Sequence, residues 1–98
     1  LGMRHTYRNV AASGQTSSTG DYVIGIGGSG AIEFRLHSAS IHDSGAILVI
    51  KDETTSRSGG ITLSPSSPNL IDNNGAYSLT GTMAAISLYS NGSNWFVF

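Results

Sequence analysis

The feature that most restricts this chain is an alternation of apolar and polar residues with a period of two. Ile32, Phe34 and Leu36 fall on one side of an extended segment, Glu33 and Arg35 on the other. That is the pattern of a strand with one face in a core and one in water. Ile86 and Leu88 alternate in the same way with Ser87 and Tyr89. No stretch of ten residues carries the spacing of an amphipathic helix, so the chain reads as all-β.

Eight short strands are expected, over residues 4–10, 21–26, 31–36, 46–51, 61–63, 77–79, 85–89 and 94–98. Residues 46–51 (AILVIK) form a continuous apolar run, which predicts a central strand with Ile47, Leu48, Val49 and Ile50 buried on both faces. The connectors are rich in residues that tolerate positive φ: Gly27-Gly28-Ser29-Gly30, Asn73-Asn74-Gly75 and Asn91-Gly92. Each reads as a tight turn, and Asn91-Gly92 between AISLY and NWFVF is the strongest hairpin signal. Pro65 and Pro68 flank a loop, where a missing N–H costs no ladder bond. Residues 38–44 predict one helical turn, with Ser38 as its cap and Gly45 as its end. The expected fold is an antiparallel β-sandwich, jelly-roll-like, forming one domain over residues 1–98. Residues 1–20 would be an N-terminal strand and linker to upstream parts, and 21–98 the core module. No internal repeat is evident.

Composition narrows the function classes. Charged residues are only 11% of the 98, less than half the average of about 25%, and the remainder is dominated by Ser, Thr, Asn and Gly. Such a neutral, hydroxyl-rich surface suits extracellular β-proteins and virion proteins. A net charge of -1 with scattered basic residues gives no stripe to neutralise a phosphate backbone, so no nucleic-acid partner is expected. The longest apolar run is too short to cross a bilayer, so no membrane insertion is expected. No signal peptide opens the chain, and position 1 is Leu, as in a processed chain or a segment of a longer one. Cysteine is absent, which removes disulfides and thiolate metal sites and points to a bacterial or viral source or to stabilisation by oligomerisation.

Several motifs carry possible chemistry. Gly25-x-Gly27-x-x-Gly30 matches the dinucleotide fingerprint, but a strand follows it where the motif requires a helix, so no cofactor is expected. His5, His37 and His42 are the metal candidates, His37 and His42 sitting five apart with Asp43 next to the second. A metal needs three or four convergent ligands, which one His per chain could supply only across a three-fold axis, so they are expected to be solvated loop histidines and no metal is assigned. Glu33, Asp43, Asp52, Glu53 and Asp72 are read as solvated surface charge and not as a hydrolytic pair. No Ser lies in a nucleophile elbow, and Asn91-Gly92-Ser93 is a formal sequon explained by the hairpin. No catalytic residue is assigned. Alternation sends Trp95 and Val97 one way and Phe96 and Phe98 the other. One set is expected to pack the core and the other a neighbouring subunit. Val49, Ile86, Leu88, Trp95, Phe96 and Phe98 are the residues expected to carry core and subunit packing.

With these residues in view, the C-terminal four-fifths of the chain resembles small β-domains of phage tail fibres and related virion proteins. The resemblance rests on Asp21-Tyr22-Val23-Ile24, Ile32 to Leu36 with Ser38-Ala39-Ser40, and Gly45 to Asp52 (GAILVIKD). It continues through Ile61-Thr62-Leu63-Ser64, Leu70-Ile71-Asp72 and the closing LYSNGSNWFVF. His37 stands where the family often has Pro, and Asn73 where Gly is common. The resemblance implies a β-sandwich module near the C-terminus of a homotrimeric fibre, spike or appendage, without a conserved active site.

The expected function is therefore that of a non-enzymatic structural and attachment module of a virion, extracellular in setting. Its partners would be two further copies of the chain and other virion or fibre proteins, with a host-surface glycan as a candidate ligand. A capsid decoration protein and a bacterial adhesive-fibre module are the alternatives. A fragment of a polysaccharide depolymerase is the enzymatic one.

Overall fold

A computed structural model describes residues 5–98; Arg4, where the first expected strand begins, lies outside them. The described residues contain no helix and nine strands. These are β1 (Tyr7–Val10), β2 (Gln15–Thr16), β3 (Val23–Ile26), β4 (Ile32–Leu36), β5 (Ile47–Asp52), β6 (Ile61–Pro65), β7 (Tyr77–Leu79), β8 (Ala85–Ser90) and β9 (Trp95–Val97). Each expected segment holds a strand. The additional one, β2, is two exposed residues long and has no alternation by which to see it.

The strands form a five-stranded sheet in the order β1-β3-β5-β8-β9 and a four-stranded sheet in the order β2-β4-β6-β7. From β1 to β6 successive strands go to the two sheets in turn, so the chain winds as a coil of three turns. Neighbouring turns pair in parallel: β1 with β3, β3 with β5, β2 with β4 and β4 with β6. The chain then reverses. β7 pairs antiparallel with β6, β8 with β5 and β9 with β8. The antiparallel, jelly-roll-like expectation is thus corrected to two mixed sheets. The physical reason lies in the connectors. Gly27 to Gly30 joins β3 to β4, which belong to different sheets, so it is an arch from one sheet to the other and not a hairpin.

The winding also changes the part played by the N-terminal stretch. β1 and β2 are the first turn of the coil, Val10 belongs to the core and Ser17 is buried. Tyr7 lies beside Val23 and Val23 beside Val49, so one turn takes 16 residues and the next 26. Unequal turns leave no constant period in the sequence.

Registers then decide what each face presents. Ile24 and Ile26 of β3, Leu48 and Ile50 of β5, Ile86 and Leu88 of β8 and Trp95 of β9 point inward from the larger sheet. Ile32, Phe34 and Leu36 of β4, with Ile61, Leu63 and Leu79, meet them from the smaller one, in a single apolar cluster. Burying such side chains contributes about 25 cal/mol per Å² of apolar surface and is the main stabilising term. The central-strand expectation for residues 46–51 holds for position but not for both faces. β5 is the middle strand of its sheet and Leu48 and Ile50 are fully buried, whereas Ile47 and Val49 on its outer side are only half-buried.

Turn chemistry fixes these registers. The hairpin between β8 and β9 is present, with Gly92 at φ 92° and Asn91 Oδ1 accepting the N–H groups of Ser93 and Asn94. In the second turn the positive φ angles fall on Asp72 (47°) and Asn73 (68°), one position earlier than Asn-Asn-Gly suggests. Ile71 and Asn74 exchange both backbone hydrogen bonds across it, which is the geometry of a two-residue primed turn. This turn lies against the free edge of β9: Trp95 N–H donates to Leu70 O, and Asp72 N–H to Trp95 O. An edge covered in this way cannot pair with another chain. Residues 38–42 make the single expected turn, with Ile41 and His42 N–H both donating to Ser38 O.

Candidate functional site: the outer face of the five-stranded sheet

The outward residues of the larger sheet line up across its strands. One row runs Ile47, Tyr89, Phe96 through β5, β8 and β9. The adjacent row runs Tyr7, Val23, Val49, Ser87 through β1, β3, β5 and β8, and Phe98 joins it by donating its N–H to Ser87 O. Tyr89 stacks on Phe96 at 5.5 Å between ring centroids and meets Phe98 at 5.8 Å, so three aromatic rings form one cluster. Phe98 is 65% exposed and Tyr89 39%. The result is an apolar stripe across a β-sheet, the opposite of the scattered apolar residues that need no explanation on a protein surface.

The residues assigned to packing divide between the two sides of this sheet. Ile86, Leu88 and Trp95 lie in the core, with Val97 packed against it. Val49 and Phe96 are half-buried on the outer face, and Phe98 is exposed there. Trp95 has no exposed surface and donates its indole N–H to His37 O (3.3 Å), so it is no open platform for a sugar ring. One edge of the stripe is polar. Tyr7 Oη donates to Glu53 Oε1 (2.7 Å) and Asn9 Nδ2 reaches the same oxygen (3.3 Å). The bond to Glu53 pushes the Tyr7 phenol above its ordinary value, so it stays a neutral donor.

Two polar clusters lie inside the fold, and both depart from the sequence reading. Asp52 was expected among solvated charges, but it occupies the inward position after Leu48 and Ile50 and is buried against Arg57. Arg57 Nη2 donates to Asp52 Oδ1 (3.1 Å) and also to Ile26 O and Gly27 O, while its Nη1 reaches Gly30 O. One side chain thereby ties the arch at Gly27–Gly30 to the loop after β5. Its bond to Asp52 is the main cause holding that carboxyl below its usual range. The arch itself needs glycine at position 28: φ is +81° and an added Cβ would lie 2.9 Å from Ala11 O.

The second cluster surrounds His42, which was expected in solvent and is instead only 6% exposed. Its Nε2 lies 2.9 Å from Ser17 Oγ, and its ring stands edge-on to Trp95 at 5.1 Å. Burial, and after it the proximity of His37, lowers its tendency to take a proton, whereas Asp21 and Asp43 act in the other direction. Ser17 is buried and its hydroxyl accepts the N–H of His37 (2.8 Å), so this Ser–His contact has no open approach for a substrate. Sequence alone offered one usable signal for the first cluster: a charge at the inward phase of β5 demands a counter-charge, and Arg57 follows five residues later. For the second it offered none.

No group of three His, Cys, Asp or Glu is placed to hold a metal ion among the described residues. Most carboxylates are already engaged: Glu33 with Ser64 and Arg35, Glu53 with Tyr7 and Asn9, and Asp72 with the N–H of Val97. The Ser64 hydroxyl is the chief cause lowering the Glu33 carboxyl below its ordinary value. No family model, curated protein or solved structure matches the chain.

Proposed function

We propose that the chain is a non-enzymatic structural and attachment module of a virion appendage, a tail fibre or spike, that assembles as a homotrimer through the outer face of its five-stranded sheet. The single observation that carries this reading is the apolar stripe centred on Tyr89, Phe96 and Phe98. Two phenylalanine rings gathered about Tyr89 on the outside of a sheet lose their hydration cost only when another surface covers them. In a three-fold ring each contact is heterologous and the ring closes on itself, so a stripe turned towards the axis is covered by both neighbouring copies. The trimer, the virion setting and the extracellular location follow from the resemblance to phage tail-fibre domains. In this reading the two sheets are the layers of a sandwich whose larger layer faces the neighbouring subunits. The hydroxyl-rich loops and the polar face of the smaller sheet remain for the host surface. Mass measured by light scattering across a concentration series tests the assembly. A trimer that persists into the low micromolar range is expected, and a monomer at every concentration up to hundreds of micromolar would overturn the proposal.

A further inference from the structure

We propose that His42 is a pH-operated latch: in its neutral form it holds the β4–β5 crossover to the first turn of the coil and to β9, and its protonation releases that crossover. The geometry is a relay across three parts of the chain. His37 N–H, at the end of β4, donates to Ser17 Oγ, just past β2 (2.8 Å). Ser17 Oγ in turn lies 2.9 Å from His42 Nε2, in the crossover. With Nε2 unprotonated, each group finds a matching partner, because the hydroxyl accepts from His37 and donates to the imidazole. Protonated Nε2 is a donor. Ser17 Oγ would then receive two donors while its own hydrogen loses its acceptor, in a site where Ser17 is 2% exposed.

The charge would also be poorly placed. His42 is packed beneath the crossover with its ring edge-on to Trp95, which has no exposed surface. The charged and titratable groups around it are His37 from the end of β4, Asp21 from the β2–β3 connection and Asp43 from its own segment. Asp21 is already paired with Arg8 at 2.9 Å, so much of its negative charge is spent on that guanidinium. His37 opposes a second positive charge. Burial and His37 both hold the His42 imidazole below its ordinary value of 6.5. The sign follows. A histidine whose folded value is depressed contributes its full stability above the unfolded value, and loses it as pH falls through the folded one. The latch is therefore closed at neutral pH and opens on acidification below about 6.5.

What opens is also defined. The crossover is otherwise tied down by Ser90 Oγ donating to Ala39 O and by Ala39 N–H donating to Asn69 Oδ1, neither of which titrates. Release is thus local to the His42 end of the crossover and exposes the edge of Trp95. This is a property of one protomer and stands or falls separately from the assembly proposed above.

Trp95 is the sole tryptophan of the chain, so its fluorescence reports on this site alone. Acidifying the wild-type protein from pH 8 to pH 4 is expected to shift Trp95 emission reversibly to the red. The midpoint should lie below 6.5 and coincide with that of the His42 ring followed by NMR. His42→Gln should flatten the transition, and His37→Gln should keep it and move its midpoint upward by removing a neighbouring positive charge. Unchanged emission across the range, a transition that survives in His42→Gln, or different midpoints for the ring and the tryptophan would overturn the proposal. If His42→Gln does not fold, the coincidence of the two wild-type midpoints decides.

Discussion

The two outward-facing sides of this molecule are built from strands of similar length and similar inward residues, yet they carry opposite chemistry. The face of the smaller sheet presents Thr16, Arg35 and Ser64 in one row and Glu33, Thr62 and Ser78 in the next. Its charges are satisfied laterally, Glu33 accepting from Ser64 Oγ (2.8 Å) and pairing with Arg35 (3.4 Å). The face of the larger sheet presents Ile47, Tyr89 and Phe96 beside Tyr7, Val23, Val49 and Phe98. A face that only has to meet water needs residues like the first. The difference teaches that the inward pattern specifies the fold, whereas the outward pattern of the larger sheet specifies something beyond it.

The strongest way to sharpen this comparison is to strike the inner side of the same strand that carries the stripe. Trp95→Ala removes a fully buried side chain and should cost about 3–5 kcal/mol in chemical denaturation, a large part of a small domain's stability. A much smaller loss would mean that β9 is an ornament on the fold, and the two sides of its sheet would no longer be distinguishable by energetics. Arg57→Ala comes next. It leaves Asp52 buried and unpaired and frees the Gly27–Gly30 arch, a loss of about 3 kcal/mol or more. The wild type should also lose stability in acid as Asp52 is protonated. Its folded carboxyl is depressed, so the contribution is present above the ordinary carboxylate value and disappears as pH falls through the folded one. In Arg57→Ala that acid dependence should flatten, which pH-resolved melting would show.

How much of this was legible in the sequence depends on the range of the interaction that decides each feature. The strands around Ile32–Leu36 and Ile86–Leu88 were readable because alternation is local, and the β8–β9 hairpin because Asn91-Gly92 sets its own geometry. The division of Trp95 from Phe96 follows from the same period. Parallel pairing was not readable. Gly27 to Gly30 has the same composition whether it bends a chain back along its own sheet or carries it across to the other sheet, and only the remote partners of β3 and β4 distinguish the two. The half-burial of Val49 was hidden for a related reason, since an apolar run reads alike in a strand covered on both faces and in one whose outer face is bare. His42 and Ser17 lie 25 residues apart, and nothing near either residue marks it as buried.

Two smaller effects separate the faces themselves. Phe98→Lys should leave the protomer's melting nearly unchanged yet dissociate the assembly, read as mass by sedimentation. Arg35→Ala, on the other face, should alter neither, because an exposed ion pair contributes little. Equal effects of the two variants on mass would erase the distinction. A modest change is expected in Gly92→Ala, where φ of 92° strains any side chain by about 1–2 kcal/mol. It should lower the melting temperature without dissociating the assembly, since the turn sets register and does not lie on the stripe.

The most direct test is hydroxyl-radical footprinting of the protein at assembling concentration, compared with the Phe98→Lys variant. If the outer face of the five-stranded sheet is the assembly surface, Tyr89 and Phe96 should be protected in the wild type and labelled in the variant. Ile41, exposed in the β4–β5 crossover and outside the strands that carry the stripe, should react equally in both. Equal labelling of Tyr89 and Phe96 in the two proteins, or protection confined to the smaller sheet, would contradict the account.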